Sequence, residues 1–168
     1  MTRKPAKQIT KRDMLAYANF VAPAFGREAP DVPKARAKSR DLEHKEQVAV
    51  IQWWAMAHKK YGLPEFALFA IPNGGHRHML TAVRLKAEGV RPGIPDLMLA
   101  KVMADKNDPI REKSPGLFIE MKSKEATASA VSDAQKELRE YLNREGYQCV
   151  VAFGADEAIA FIKSYLGE

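Results

Sequence analysis

Residues 93–99 read Gly-Ile-Pro-Asp-Leu-Met-Leu, and residues 117–122 read Leu-Phe-Ile-Glu-Met-Lys. Both stretches have the length and apolar content of buried strands. Charged residues interrupt this pattern, because Asp96 heads the first stretch while Glu120 and Lys122 lie in the second. Side chains alternate along a strand, so Glu120 and Lys122 share one face of the sheet. If the two strands are neighbours, all three charged groups converge.

The acidic residues in these strands predict a metal site. Buried carboxylates need partners, and hard divalent cations are held by carboxylate and carbonyl oxygens. Asp96 and Glu120 supply two carboxylates, and the backbone carbonyl of Met121 is a natural third ligand. Lys122 can orient a water or stabilise developing negative charge, so the set suits metal-dependent phosphodiester hydrolysis. The alternative for Glu120 and Lys122 is a surface ion pair, which the apolar strand around them disfavours.

The composition is that of a single compact domain with a tail. The chain has 168 residues, of which 46% are hydrophobic, and a domain usually takes about 100 to 150. No apolar run approaches the roughly 18 residues of a membrane span, and the first residues lack a secretory apolar region. We therefore expect an intracellular, cytoplasmic protein. The single cysteine, Cys149, excludes disulfide frameworks and Cys-based zinc sites and is expected in a buried strand.

Positive charge is concentrated near the start of the chain. Residues 1–40 contain ten Lys or Arg and three Asp or Glu, whereas the rest of the chain is nearly neutral. Such an arm can bind a polyanion, or it can be a solubilising tail. Four prolines occur in this segment, and residues 22–40 are expected to be irregular. We divide the chain into this basic segment and a domain at 41–168.

A long amphipathic pattern over residues 40–61 predicts a helix that Ser39 caps and Gly62 ends. Glu43 and Glu46 lie three positions apart near its start and project from similar faces. Either carboxylate could complete the site predicted between the strands. Both could also be ordinary first-turn acids that the helix dipole favours.

The next apolar run, residues 66–71, has no alternation and is expected to be a strand buried on both faces. A glycine-containing loop with cationic neighbours follows it, and such a loop can approach a phosphate closely. A simple turn is the alternative. A short helix at 79–88 carries further basic residues. The predicted nucleic-acid-binding residues are Asn73, Gly74, Gly75, Arg77 and Arg84.

The remaining elements follow the second central strand. Residues 101–116 read as a surface loop between hairpin strands. Ser132 and Gln135 have the spacing of a capping box at the start of a helix. A strand at 147–153 and a last helix capped by Asp156 close the chain. The expected apolar face of the helix after Ser132 consists of Ala134, Leu138, Tyr141 and Leu142.

Taken in order, these motifs resemble the VRR-NUC domain of the PD-(D/E)xK nuclease superfamily. The segments 43–54 and 71–75 are also similar to its phage-type members. The resemblance extends from about Leu42 to Leu166. It implies an α/β, restriction-endonuclease-like fold, with a mixed central sheet flanked by helices and the site at the edge of the sheet.

The resemblance also implies roles for the residues that match its motifs. The two strand carboxylates are metal ligands, Lys122 is the catalytic lysine, and Gln135 is the accompanying glutamine. One acid of the first long helix joins them. Glu46 is favoured because the apolar part of the helix follows it directly, and Glu43 is the alternative.

The predicted function is therefore that of a Mg²⁺- or Mn²⁺-dependent DNA endonuclease. Small members of the family are similar to dimeric junction resolvases, which is compatible with a homodimer acting on branched DNA. The alternative is a nucleic-acid-binding module that has lost catalysis. The intact set of Asp96, Glu120 and Lys122 argues against that alternative.

Overall fold

The chain folds into two compact units, of which the larger consists of Pro33–Gly74 and Arg91–Glu168. Residues 84–90 belong to the other unit and contain a helical turn at 84–87. Within the described parts of the chain, no helix has the length and apolar character to cross a bilayer. The computed structural model describes residues 34–72, 84–104 and 112–168.

The described part of the larger unit contains three α-helices and six strands, five of which lie between the first and second helices. Its helices are α1 (Lys34–Ala57), α2 (Asp133–Arg144) and α3 (Ala155–Tyr165). The strands of its main sheet are β1 (Leu68–Ala70), β2 (Leu97–Leu99), β5 (Leu117–Lys122) and β6 (Gln148–Phe153). A separate hairpin consists of β3 (Met103–Ala104) and β4 (Glu112–Ser114).

The main sheet has the strand order β1-β2-β5-β6. The pairs β1–β2 and β2–β5 are antiparallel, whereas β5 and β6 are parallel. Since the two motif strands are direct neighbours, Leu97 lies opposite Ile119. Both the predicted pairing of these strands and the predicted mixed sheet are confirmed.

The two faces of β5 meet different helices. Its odd-numbered residues join α1 and α3 in the hydrophobic core, while Glu120 on the other face contacts Gln135 of α2. Helices therefore flank both faces of the sheet, as the α/β prediction requires. The core residues that these elements share are Val50, Trp54, Leu117, Ile119, Met121, Ala158 and Ile162.

The end of α1 is fixed by an aromatic cluster. Trp54 is 1% exposed, and its Nε1 donates to the Glu65 carbonyl at 2.7 Å. The Trp54 and Tyr61 rings stack with centroids 6.2 Å apart. Gly62 then reverses the chain with φ of 64°, in the left-handed region that glycine favours. α1 itself ends at Ala57, and a 3-10 turn at His58–Tyr61 continues it to Gly62. The glycine therefore stops the helical segment where predicted, one turn after α1.

Several local expectations were wrong. α1 begins at Lys34, so Ser39 lies inside the helix and residues 34–40 are helical rather than irregular. The stretch 34–38 contains only Lys, Ala and Arg, which are strong helix formers.

The expectation that the run 66–71 is buried on both faces was also wrong. Phe69 is 44% exposed, since β1 is at the edge of the main sheet. Phe66 is 80% exposed and lies before the strand, in a 3-10 turn at Glu65–Ala67. A continuous apolar run therefore does not distinguish a central strand from an edge strand here.

The predicted loop at 101–116 contains the β3–β4 hairpin, while residues 105–111 lie outside the described parts of the chain. The Tyr165 hydroxyl lies 2.7 Å from the Lys101 carbonyl and 3.0 Å from that of Ser114. Ser114 Oγ in turn accepts a hydrogen bond from Gln148 N at 3.0 Å. These contacts tie the hairpin to α3 and β6.

The motif glycine Gly93 packs directly on α2. Its φ is 85°, and a Cβ at this position would lie 2.7 Å from the Ala134 carbonyl oxygen. Only glycine permits both this backbone conformation and this approach. The loop before β2 therefore supports the first turn of α2, which carries Gln135.

We predict that Gly93→Ala lowers the free energy of unfolding by about 2 to 3 kcal/mol, because backbone strain and a steric clash add. Gly146→Ala is the matched control. Gly146 has φ of 90°, but a Cβ there would have no described atom within 4 Å, so only strain of about 1 kcal/mol is expected. Urea denaturation measures both losses, and equal losses would contradict the packing role of Gly93.

Candidate active site

The candidate site forms where β5 continues beyond the start of β2. β2 pairs with Leu117–Ile119, and β5 runs on to Lys122. Asp96, the residue before β2, bonds to this extension through its side chain. Its Oδ2 accepts a hydrogen bond from Met121 N at 2.8 Å. The carboxylate thus takes the place of a strand partner and is held beside Glu120.

Glu120 and Lys122 form a buried ion pair on one face of β5. Lys122 Nζ lies 2.7 Å from Glu120 Oε1, and the two side chains are 8% and 7% exposed. Gln135 Nε2 donates to the same Glu120 oxygen. The Met121 side chain points the other way and is 2% exposed in the core. The predicted alternation of these residues is therefore present.

Gln135 is oriented by the start of its own helix. Its Oε1 accepts from Ser132 N at 2.8 Å, and its backbone N donates to Ser132 Oγ. These two bonds are the predicted capping box. Because the amide oxygen is held by Ser132, the amide nitrogen faces Glu120. A local capping motif thus directs a side chain into the site.

The carboxylates of the cluster repel one another. Burial and, to a lesser extent, the Asp96 charge raise the pKa of Glu120, and the hydrogen bond and charge of Lys122 lower it, which leaves the pKa at about 7. Burial likewise raises the pKa of Asp96, against the Met121 hydrogen bond and the Lys122 charge. A buried group with such a pKa is typical of functional sites.

Glu43 of α1 lies in the electrostatic field of the same groups. Burial raises its pKa, the Lys122 charge lowers it, and the Asp96 charge raises it. The backbone of Ser123 also donates a hydrogen bond to Glu43. The structure therefore brings Glu43 to the strand carboxylates. The contribution of Ser123 had no sequence signal other than its position directly after Lys122.

Glu46 lies one turn further along α1 and contacts a different element. Its Oε2 accepts a hydrogen bond from Ala155 N at 2.7 Å, at the start of α3. The N-cap of that helix is Gly154, which has no side chain to accept this bond. The predicted cap Asp156 is exposed, with Oδ2 3.4 Å from Lys124 Nζ. The Asp156 cap prediction was therefore wrong.

The predicted nucleic-acid-binding residues are only partly described. Asn73, Gly74, Gly75 and Arg77 lie outside the described parts of the chain. Arg84 belongs to the smaller unit, where its Nε lies 2.8 Å from Glu88 Oε1. Its side chain is 72% exposed. The predicted DNA contact of Arg84 stays a prediction.

The donor chemistry at the site fits a divalent cation. Asp96, Glu120 and Glu43 are carboxylates whose pKa values are raised by burial, and hard cations prefer such oxygens. Among the described residues, no three acidic, histidine or cysteine side chains form a ready-made coordination group. Lys122 and Gln135 engage Glu120 Oε1 instead. The site is therefore a cluster of carboxylates in which the Lys122 ammonium pairs with Glu120.

Comparison with known proteins agrees with this geometry. The model of the VRR-NUC domain family matches residues 33–156. A solved structure of a VRR_NUC domain protein is 30% identical, with a TM-score of 0.56, and the match covers 75% of this chain and 90% of that chain. No curated protein matches the sequence. The chain therefore belongs to the VRR-NUC domain family, and this membership indicates a nuclease.

Proposed function

We propose that the protein is a Mg²⁺- or Mn²⁺-dependent DNA endonuclease of the PD-(D/E)xK type. The observation that carries this proposal is the convergence of Asp96, Glu120 and Lys122 where β5 continues beyond β2. Buried acids and a lysine this close together cost stability, and such groups are typical of sites that bind a ligand or carry out a reaction. A divalent metal and a phosphodiester are ligands of this kind.

The metal would be held by Asp96, Glu120 and the backbone carbonyl of Met121, with Glu43 completing the set. When bound, a divalent ion neutralises phosphoryl charge and makes water a better nucleophile near neutral pH. It would also relieve the repulsion among the carboxylates. That repulsion is visible in the pKa of Glu120, which the Asp96 and Glu43 charges both raise.

Lys122 and Gln135 supply the remaining chemistry of the site. Lys122 is buried, and its ammonium is 2.7 Å from Glu120 Oε1. Because water screens buried charges only weakly, the ammonium interacts strongly with negative charge close to it. We assign it to orienting the attacking water or stabilising the developing negative charge. Gln135 holds the Glu120 carboxylate in one orientation through its amide.

We assign the helix carboxylate of the site to Glu43. Its charge couples with those of Lys122 and Asp96. The sequence-based choice, Glu46, instead bonds to the first N–H of α3. A carboxylate that satisfies a helix N terminus is already used for structure.

Residues 34–40 belong to α1, so we set the boundary of the nuclease domain at residue 33. The segment before it is basic, and we assign it to the DNA backbone. The sequence resemblance supports a phage-type nuclease that acts inside the cell. It also supports a homodimer that cleaves branched DNA. DNA that is bound but never cut would instead favour an inactive binding module.

We predict that Lys122→Ala reduces plasmid cleavage in Mg²⁺ or Mn²⁺ by about 100- to 1,000-fold, as loss of one transition-state donor does. Binding of the plasmid and the circular dichroism spectrum should change little. Lys136→Ala is the control, because Lys136 is exposed on α2 and pairs only with Asp133 in its own first turn. Normal cutting by the Lys122 variant would refute the assignment.

We predict opposite phenotypes for the two acids of α1. Glu43→Gln should weaken Mn²⁺ binding, measured by titration calorimetry, and should abolish cutting. Glu46→Gln should cut normally and lose about 1 kcal/mol of stability, the usual loss for a helix cap. The reverse pattern would return the catalytic role to Glu46.

We predict that the metal-free protein loses stability as pH rises through about 7, the pKa of Glu120 in the folded state. The folded state holds this proton more tightly than the unfolded state does. The stabilisation by protonated Glu120 is therefore fully present below the ordinary pKa of 4.5 and is lost as the pH rises through about 7. The loss contributed by this group is at most about 3 kcal/mol.

Urea denaturation in EDTA at pH 5 and pH 8 measures this loss. Glu120→Gln should flatten the pH dependence, and Mn²⁺ should stabilise the native protein more at pH 8 than at pH 5. Identical pH profiles for the native protein and the Gln variant would contradict the prediction.

A further inference from the structure

The outer side of α2 forms an open cavity. The predicted apolar face of this helix is only partly covered: Leu138 and Leu142 are half-buried, whereas Ala134 and Tyr141 are exposed. Tyr141 is 48% exposed. Together with the loop at Arg91 and Pro92, this face lines a cavity of about 520 Å³. That volume is in the range of small-ligand sites.

The charges around the cavity cancel. Arg91 and Arg144 line it together with Glu137 and Glu140, so a phosphate would meet two carboxylates as well as two guanidinium groups. The Arg144 guanidinium lies 5.5 Å from the centroid of the Tyr141 ring. This composition suits an uncharged, planar ligand that carries both hydrogen-bond donors and acceptors.

A nucleobase is such a ligand. Aromatic rings and guanidinium planes stack on unpaired bases. Arginine donates to the acceptors on a base edge, and glutamate accepts from amino groups. The cavity provides one aromatic side chain, Tyr141, with both kinds of polar partner around it.

Both walls of the cavity are chain neighbours of the candidate active site. Ala134 lines the cavity, and the next residue, Gln135, bonds to Glu120. Arg91 and Pro92 lead into Gly93, which packs on Ala134, and then into Asp96. The start of α2 therefore links the cavity to the carboxylates, through Ala134 on one side and Gln135 on the other.

We propose that this cavity binds an unpaired nucleobase beside the scissile phosphodiester, stacked on Tyr141 and Arg144. The proposal rests on the proposed nuclease function and specifies its substrate. A paired base cannot enter a lateral cavity unless it leaves the duplex, and leaving the duplex costs free energy. The proposed subsite therefore requires an unpaired nucleotide at one fixed position beside the cut.

The test uses the full chain and a forked duplex whose branch point fixes the register of binding. One abasic nucleotide is placed at successive positions of the unpaired arms, and affinity is measured by fluorescence anisotropy in EDTA. One or two positions should weaken binding by the native protein about 5- to 100-fold, the range expected for loss of one stacked base.

Tyr141→Ala should lose the same factor on intact DNA and become insensitive to the abasic nucleotide, while Tyr141→Phe should behave as the native protein does. Phe66→Ala is the matched control, since Phe66 is an aromatic residue that is 80% exposed and does not line the cavity. It should retain native binding.

The proposal is overturned if Tyr141→Ala remains as sensitive to the abasic position as the native protein. It is also overturned if this variant changes only the oligomeric state, which would assign the cavity to a second copy of the chain. Failure of the nuclease proposal gives a different result, because the native protein would then cut no DNA in Mg²⁺ or Mn²⁺, whatever its sensitivity to the abasic nucleotide in EDTA.

Discussion

The hydrogen bond from Met121 N to Asp96 Oδ2, at 2.8 Å, is the contact on which the rest of the site depends. A strand that continues beyond its neighbour exposes backbone groups that need partners. Here a carboxylate provides the partner. The same bond continues the association of β2 with β5 and holds Asp96 beside Glu120. One contact therefore connects the acidic cluster to the sheet.

The charged groups around this contact cost the protein stability. Glu120 is 5% exposed and Lys122 is 7% exposed, and burial of ionised groups is costly even when they are paired. The charges of Asp96 and Glu43 make ionised Glu120 less favourable still. Such a cluster is more stable with a cation or with a proton. The repulsion among these carboxylates is the physical basis of the proposed divalent-ion site, because a bound cation would offset it.

Two helices contribute polar side chains around β5. Gln135 is positioned by a neighbour in the sequence, whereas Glu46 bonds to a residue far along the chain. Gln135 reaches Glu120 because Ser132, three residues earlier, holds the other end of its amide. Glu46 instead bonds to Ala155, far along the sequence. α1 therefore serves two purposes, since Glu43 lies near Lys122 while Glu46 joins the helix to α3. These contacts make α1 and α2 parts of one framework around β5.

The sequence by itself determined the features that rest on local geometry. The alternation of Glu120, Met121 and Lys122, the capping box at Ser132 and the glycine that stops the helical segment after α1 were predicted because each depends on a few adjacent residues. The tertiary structure alone decided that Glu46 bonds to the N terminus of α3 and that the charges of Lys122 and Asp96 act on Glu43. It also decided that β1 is an edge strand and that Tyr141 lines a cavity. Apolar periodicity indicates that a face can be buried, but only the arrangement of the neighbouring elements determines whether anything covers it.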